Sequence, residues 1–215
     1  MRDHARAMFC LAAAGVIVLA GISAGGGPVQ AQDPNSAPNP YHVAEHWAKL
    51  PNGRVWGQAI GVDIDRDGTS LWVFDRCGGK TCEGSNIAPI QKFDVSGRLV
   101  ASFGSGLFKW PHGLCAAPDG TVWVTDGTNQ TVMQFGADGR LLRTLGKPGV
   151  AGNGPDEFNS PSDVLVAPNG DIFVADGHSN VPGYRTPTTA SSNSQRMANL
   201  SKPGATMDRD KANST

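Results

Sequence analysis

Three side chains at the ends of apolar runs carry groups that do chemistry in proteins. They are the imidazole of His112 in Pro111-His112-Gly113-Leu114, the guanidinium of Arg76 in Phe74-Asp75-Arg76, and the imidazole of His178 in Asp176-Gly177-His178. A neutral imidazole is a ligand suited to zinc and, near neutral pH, an acceptor of protons. A guanidinium presents a rigid fork of donors that matches a carboxylate. Taken singly, two of them have plainer readings, His112 as a structural histidine and Arg76 as an exposed turn arginine. Cys77 and Cys82 bracket a short Gly-rich loop whose ends can meet, and an oxidising compartment would let a disulfide persist there; one such pair falls short of a zinc site. Cys115 sits in an apolar strand and reads as a buried free thiol.

The elements that must position these groups repeat. Leu71–Asp75, Val122–Asp126 and Ile172–Asp176 lie 51 and 50 residues apart. Each follows a turn, Asp67-Gly68, Asp119-Gly120 or Asn169-Gly170, and before each turn runs another apolar strand: Ile60–Ile64, Gly113–Ala117 and Asp163–Ala167. Two further strands follow in the first two units, Ile90–Asp94 with Arg98–Phe103 and Val132–Phe135 with Arg140–Leu145, joined at Ser96-Gly97 and Asp138-Gly139. The unit is therefore four short antiparallel strands linked by tight hairpins, with Gly supplying positive φ. Val122 and Val124 point to one face and Trp123 to the other, as do Leu71 and Val73 against Trp72. A sheet apolar on both faces must sit between neighbours, which favours a β-propeller over a β-sandwich with one wet face per strand. His112 then opens an innermost strand and faces the central channel.

Composition narrows the alternatives. The 215 residues include 28 Gly and 15 Pro, only 17% are charged, and the formal net charge is −1. This excludes a coiled coil, a multi-span membrane protein and a basic nucleic-acid binder. Arg2 and Arg6 precede an apolar run from Met8 to Ala24, and Val29-Gln30-Ala31 supplies small residues for cleavage, the layout of a secretory signal over residues 1–31. That run falls short of the roughly 20 strongly apolar residues a membrane span needs. The chain is thus expected to be exported, periplasmic or extracellular, with no membrane contact after cleavage. Residues 32–56 read as a flexible leader and lead-in. Asp63-Ile64-Asp65-Arg66-Asp67-Gly68 imitates an EF-hand loop, but its twelfth position is Phe74, so a hairpin turn is expected. Asp75, Asp126 and Asp176 read as turn-capping carboxylates, and Trp72, Trp123 and Phe173 as packing between blades.

With Trp110-Pro111-His112-Gly113-Leu114 and Asn159-Ser160-Pro161-Ser162-Asp163 added, the chain resembles an NHL-repeat propeller and, more narrowly, the peptidyl-α-hydroxyglycine α-amidating lyases. The likeness runs from Gly57 to Asn180. It implies a ring of about six blades. It also implies zinc held by three histidines from different blades, of which His112 is one, and calcium on backbone carbonyls at Val62 and Leu114. Arg76 matches a catalytic, substrate-binding arginine, and His178 stands where the animal enzymes carry a tyrosine proposed as base. The implied reaction cleaves the C–N bond of a C-terminal α-hydroxyglycine, releasing a peptide amide and glyoxylate, so a peptide or small-molecule substrate is expected. The chain departs from the animal enzymes in Asp75 and in the Cys77–Cys82 loop that follows Arg76. The alternative is a non-enzymatic propeller scaffold for a peptide, glycan or protein.

The expected fold class is all-β: an incomplete, open-arc β-propeller of four-stranded antiparallel blades, about two and a half of six. The partial propeller spans 57–180, with blades at about 57–104, 110–146 and 160–180. Residues 181–215 lose the alternation and are expected to be a disordered tail. Read one base earlier, codons compatible with the segment from Pro187 onward can spell N-N-R-I-V-K-F-S-A-D-G-K-L-I-K-T-W-G, which follows the repeat at 131–146; the expectation is a frameshift between His178 and Pro187. An open arc leaves an apolar blade face at each end, an aggregation liability, and lacks most of the metal site, so the isolated chain is expected to be inactive.

Overall fold

Gly68, Gly120 and Gly170 stand at φ of +73°, +85° and +85°, and each closes the hairpin its Asx-Gly pair predicts. The computed structural model describes residues 38–51, 53–178 and, as backbone, 196–199. The signal expected over 1–31 and the tail segments 181–195 and 200–215 lie outside these residues. Residues 38–43 belong to a separate unit and are exposed; the remaining description concerns the unit that begins at Ala44.

The first sheet joins β1 (Ala59–Ile64), β2 (Leu71–Asp75), β3 (Ile90–Phe93) and β4 (Leu99–Phe103) in sequence order. The second joins β5 (Pro111–Ala116), β6 (Val122–Asp126), β7 (Thr131–Phe135) and β8 (Leu141–Leu145) in the same way. The third has β9 (Pro161–Val166), β10 (Ile172–Asp176) and β11 (Arg196–Asn199), with β10 in the middle. All named pairs are antiparallel. The fold is the expected arc of blades, with no helix among the described residues.

One expectation is corrected in the third sheet. The segment 181–215 was to lie outside the fold, yet the backbone of 196–199 pairs with β10 from Phe173↔Asn199 to Asp176↔Arg196. Backbone groups carry the ladder whatever the side-chain pattern, so a strand needs no alternation to be accepted at an open edge.

The middle sheet is clasped on both faces. Val122 and Val124 join Trp72, Phe74, Ile90 and Phe108 in one core cluster, while Trp123 joins Val164, Ile172 and Val174 in another. In β6 the two valines thus face the first sheet and the tryptophan faces the third. Trp72 and Trp123 are buried at 1% and 3% exposure, whereas Phe173, facing away from the second sheet, is half-buried.

The far face of the first sheet corrects a second expectation, a bare apolar surface at each end of the arc. Here the lead-in covers it. Trp47 and Trp56 pack on Phe93 with ring centroids 6.2 and 5.7 Å away. The Lys49 amide donates to Gly97 O at 2.8 Å, and Trp47 Nε1 to Val95 O at 3.1 Å. Phe93 is consequently sealed from solvent.

The recurring aspartates do more than cap turns. Asp126 Oδ1 does accept from the Asn129 amide at 2.9 Å in its own turn, but Oδ2 accepts from Lys109 N at 2.6 Å and Oδ1 from Trp110 N at 3.0 Å. Asp75 likewise takes Gly57 N at 2.8 Å and Arg54 Nη2 at 2.6 Å, and Asp176 takes Asn159 N at 2.7 Å. Each carboxylate is fully buried and pins the chain entering the inner strand of its own sheet.

Candidate functional site

Gly61 and Gly113 let the inner strands approach. A Cβ on Gly61 would stand 2.7 Å from Leu114 Cβ, and one on Gly113 would stand 2.6 Å from Asp163 Cα. With β1 against β5 and β5 against β9, the start of β5 and the ends of β2 and β10 bring the three candidate side chains to one ring. Arg76, from the end of the first sheet, places Cζ 4.2 Å from the Trp110 ring centroid. His112, on β5, lies 4.9 Å from the same centroid, and His178, just past β10, lies 5.3 Å from it. The two imidazoles are 4.7 Å apart. Trp110, the hub, was quoted within the repeat but not singled out as a site residue; its signal was an aromatic directly before Pro-His.

Arg76 is held rather than exposed. Its Nε donates to Pro111 O at 3.1 Å and its Nη1 to Gln58 Oε1 at 2.5 Å. Burial lowers its pKa from the ordinary value, but a guanidinium remains cationic in a protein, and the indole face gives it a compensating cation–π contact. The plainer reading of a solvated turn arginine is thereby set aside.

His112 Nδ1 lies 2.7 Å from Ser162 O. A carbonyl only accepts, so Nδ1 carries the proton and the neutral ring presents the Nε2 lone pair. Burial is the main cause that pushes its pKa down, the Ser162 carbonyl opposes it, and the charges of His178 and Arg76 add to the lowering. The His178 amide donates to Ser160 O at 3.1 Å, which fixes the chain where it leaves β10.

His112 and His178 border a cavity of about 510 Å³ that Val62, Leu114 and Asp163 also line. The structure therefore brings His112 and His178 to Arg76 at the Trp110 ring, and to Val62 and Leu114 along the cavity. An imidazole whose Nδ1–H is fixed by a carbonyl has the orientation found in histidines that hold zinc, so His112 fits a metal ligand. Among the described residues no three His, Cys, Asp or Glu side chains gather closely enough to complete such a site.

Cys77 and Cys82 form a disulfide directly after Arg76, as the loop predicted. Cys115 is a buried free thiol, and burial raises its pKa. It belongs to the cluster between the second and third sheets, which also holds Trp123.

The sheets and their repeat define the class, an NHL-repeat β-propeller arc: the NHL repeat family matches residues 108–135, which carry Trp110, His112 and Asp126. Within that class the sequence is similar to amidating lyases. A probable peptidyl-alpha-hydroxyglycine alpha-amidating lyase of Caenorhabditis elegans is 35% identical over 130 residues, covering 60% of this chain and 34% of that protein. Peptidyl-alpha-hydroxyglycine alpha-amidating lyase 1 of Drosophila melanogaster is 31% identical over 197 residues, covering 76% of this chain and 36% of that protein. The human NHL repeat-containing protein 3 is 33% identical over 146 residues, covering 64% of this chain and 40% of that protein. The chain spans about a third of the length of these two lyases.

Proposed function

We propose that this chain is an exported arc of an amidating-lyase-type propeller, and that its site around Trp110 is built to act on a peptide ending in α-hydroxyglycine. The observation that carries this reading is the convergence of Arg76, His112 and His178, from three sheets, on one indole at 4.2, 4.9 and 5.3 Å. In the reading, Arg76 offers its fork to the substrate carboxylate or bears on the hydroxyl being deprotonated. His178 accepts the hydroxyl proton. His112 would hold zinc through Nε2, and the Val62 and Leu114 carbonyls would hold calcium; zinc, when bound, would supply Lewis-acid polarisation of the substrate oxygen. As the hydroxyl proton leaves, its O–H electron pair forms the aldehyde C=O, the C–N bond breaks, and the departing nitrogen takes up a proton, which gives a peptide amide and glyoxylate.

The isolated chain is proposed to be silent, because a catalytic zinc requires about three protein ligands and the described residues bring two imidazoles to this cavity. Zinc titration of the chain tests the ligand: weak binding abolished in His112→Ala supports the assignment, and binding unchanged by that variant overturns it. Glyoxylate release from a peptidyl-α-hydroxyglycine tests the reaction. The signal is expected only in a version whose frame downstream of His178 is restored to the repeat, and it should vanish with chelator. A restored, metal-loaded protein that releases no glyoxylate would reject the lyase reading. The scaffold reading for a peptide, glycan or protein then stands.

A further inference from the structure

We propose that the Cys77–Cys82 disulfide is the device that holds the Arg76 guanidinium on Trp110, so that the placement of this arginine depends on the bridge. The proposal rests on the reading above for the meaning of Arg76, and on independent geometry for the positioning itself.

The bridge ties both partners of the stack. On the arginine side, Cys77 directly follows Arg76 and sits at φ +51°, followed by Gly78 at +78°. The left-handed region is unfavourable for a side chain such as cysteine and persists where its surroundings enforce it. The surroundings here are tight. Arg76 N donates to Gln58 O at 3.0 Å, Gln58 N to Gly79 O at 3.0 Å, and Gly79 N to Arg76 O at 2.8 Å. Gly57 lies so close that a Cβ would stand 2.7 Å from the Arg76 carbonyl. Gln58, bonded to this loop through its backbone, is also the residue whose Oε1 takes Arg76 Nη1.

On the tryptophan side, Cys82 N donates to Lys109 O at 2.8 Å. Lys109 N and Trp110 N are both held by Asp126. The S–S bond therefore closes a path from the Arg76 backbone, through Cys77 and Cys82, to the segment that carries the indole. Both cysteines are buried, at 8% and 2% exposure, within the core cluster between the first two sheets. Without the bridge, loop 77–82 keeps its hydrogen bond to Lys109, but Cys82 is joined to Arg76 only through the backbone of the intervening loop and no longer by the short cross-link to Cys77. Reduction by a dithiol has the same effect: it passes two electrons and two protons to the bridge, becomes a cyclic disulfide, and leaves thiols at Cys77 and Cys82.

The test reads the arginine itself. In the ¹⁵N-labelled chain the Arg76 Nε–H, which donates to Pro111 O, gives a side-chain signal assigned by its loss in Arg76→Lys. In the double variant Cys77→Ala/Cys82→Ala, exchange of this proton with water is expected to accelerate at least tenfold. The Val124 amide, in the middle of β6, should change less than twofold. An Nε–H as protected as in the native chain overturns the proposal. So does equal loss of protection at Val124, which would assign the bridge to overall stability. If the double variant does not fold, reducing the native protein with dithiothreitol and reading the same two signals gives the same decision. No substrate enters the measurement, so a silent lyase assay leaves it untouched.

Discussion

Asp126 and Trp110 are bound carboxylate to amide at 3.0 Å, sixteen residues apart, with the aspartate fully buried at the end of β6. The contact decides where the indole sits, and so where Arg76, His112 and His178 meet. Its neighbour Lys109 and the turn residue Asn129 give their amides to the same carboxylate. Asp126→Ala should leave these donors without an acceptor and cost about 2–4 kcal/mol, the penalty for breaking a buried polar cluster. Urea denaturation of the variant against the native chain measures it. Asp138→Ala, at an exposed turn, should change stability by less than about 0.5 kcal/mol.

The same residue sets a pH dependence. Burial raises the Asp126 pKa above its ordinary 3.8, and the amides of Lys109, Asn129, Trp110 and Thr128 oppose the rise without cancelling it. In the window between 3.8 and the raised folded value, the native state binds more protons than the unfolded chain. Stability contributed by this group is therefore present at low pH and lost as pH rises through that window. Asp126→Asn, which does not titrate, isolates the effect: the stability of the native chain relative to this variant should fall as pH is raised from below 3.8 toward neutrality. A difference independent of pH, or one that grows with pH, would contradict the burial argument.

The strands were legible because two signals coincide in them, Asx-Gly pairs at the hairpins and apolar residues on both faces. Where the reading slipped, the reason is physical. The sequence suggested inner strands from Gly113 and Asp163, while β5 and β9 begin at Pro111 and Pro161. Proline reads as a breaker, yet at the first position of a strand its missing amide costs no ladder bond. The aspartates looked like turn caps because the amides at the entry to each inner strand that Asp75, Asp126 and Asp176 hold lie sixteen or more residues upstream, beyond any local pattern. Arg76, His112 and His178 were each visible, but only the folded arc shows that three sheets deliver them to one indole. The pairing of β11 had no side-chain signal at all, since the bonds that make it belong to the backbone.

The lead-in is predicted to be a structural part of the arc. Gly97 stands at φ +75°, and a Cβ there would overlap the Trp47 carbonyl, 1.8 Å away. Gly97→Ala combines a disfavoured backbone with a clash and should loosen this docking by about 1–2 kcal/mol. Because 1.4 kcal/mol is a factor of ten in an opening equilibrium, tryptic cleavage after Lys49 should accelerate by roughly tenfold. The cleavage rate of the folded chain, followed by mass spectrometry, is the readout. An unchanged rate would mean that Trp47 and Trp56 do not depend on the contact at Gly97 for their place on Phe93.

Trp123 tests whether the sheets stand by one another or alone. It is 3% exposed and belongs to the cluster formed with Val164, Ile172 and Val174 of the third sheet. If the middle sheet were stable by itself, truncating this side chain would remove little beyond its own contacts within the sheet. A sheet with two apolar faces has no such independence, so Trp123→Ala opens a cavity between blades and should cost about 3–5 kcal/mol. The loss should also be transmitted unequally. Amide exchange in β9 and β10, which lose their apolar neighbour, should rise more than in β2 and β3, which remain packed on Val122 and Val124 through the other face. Hydrogen exchange resolved by peptide reads this directly. Equal acceleration in both flanking sheets would mean that the arc opens as one cooperative unit, not blade by blade.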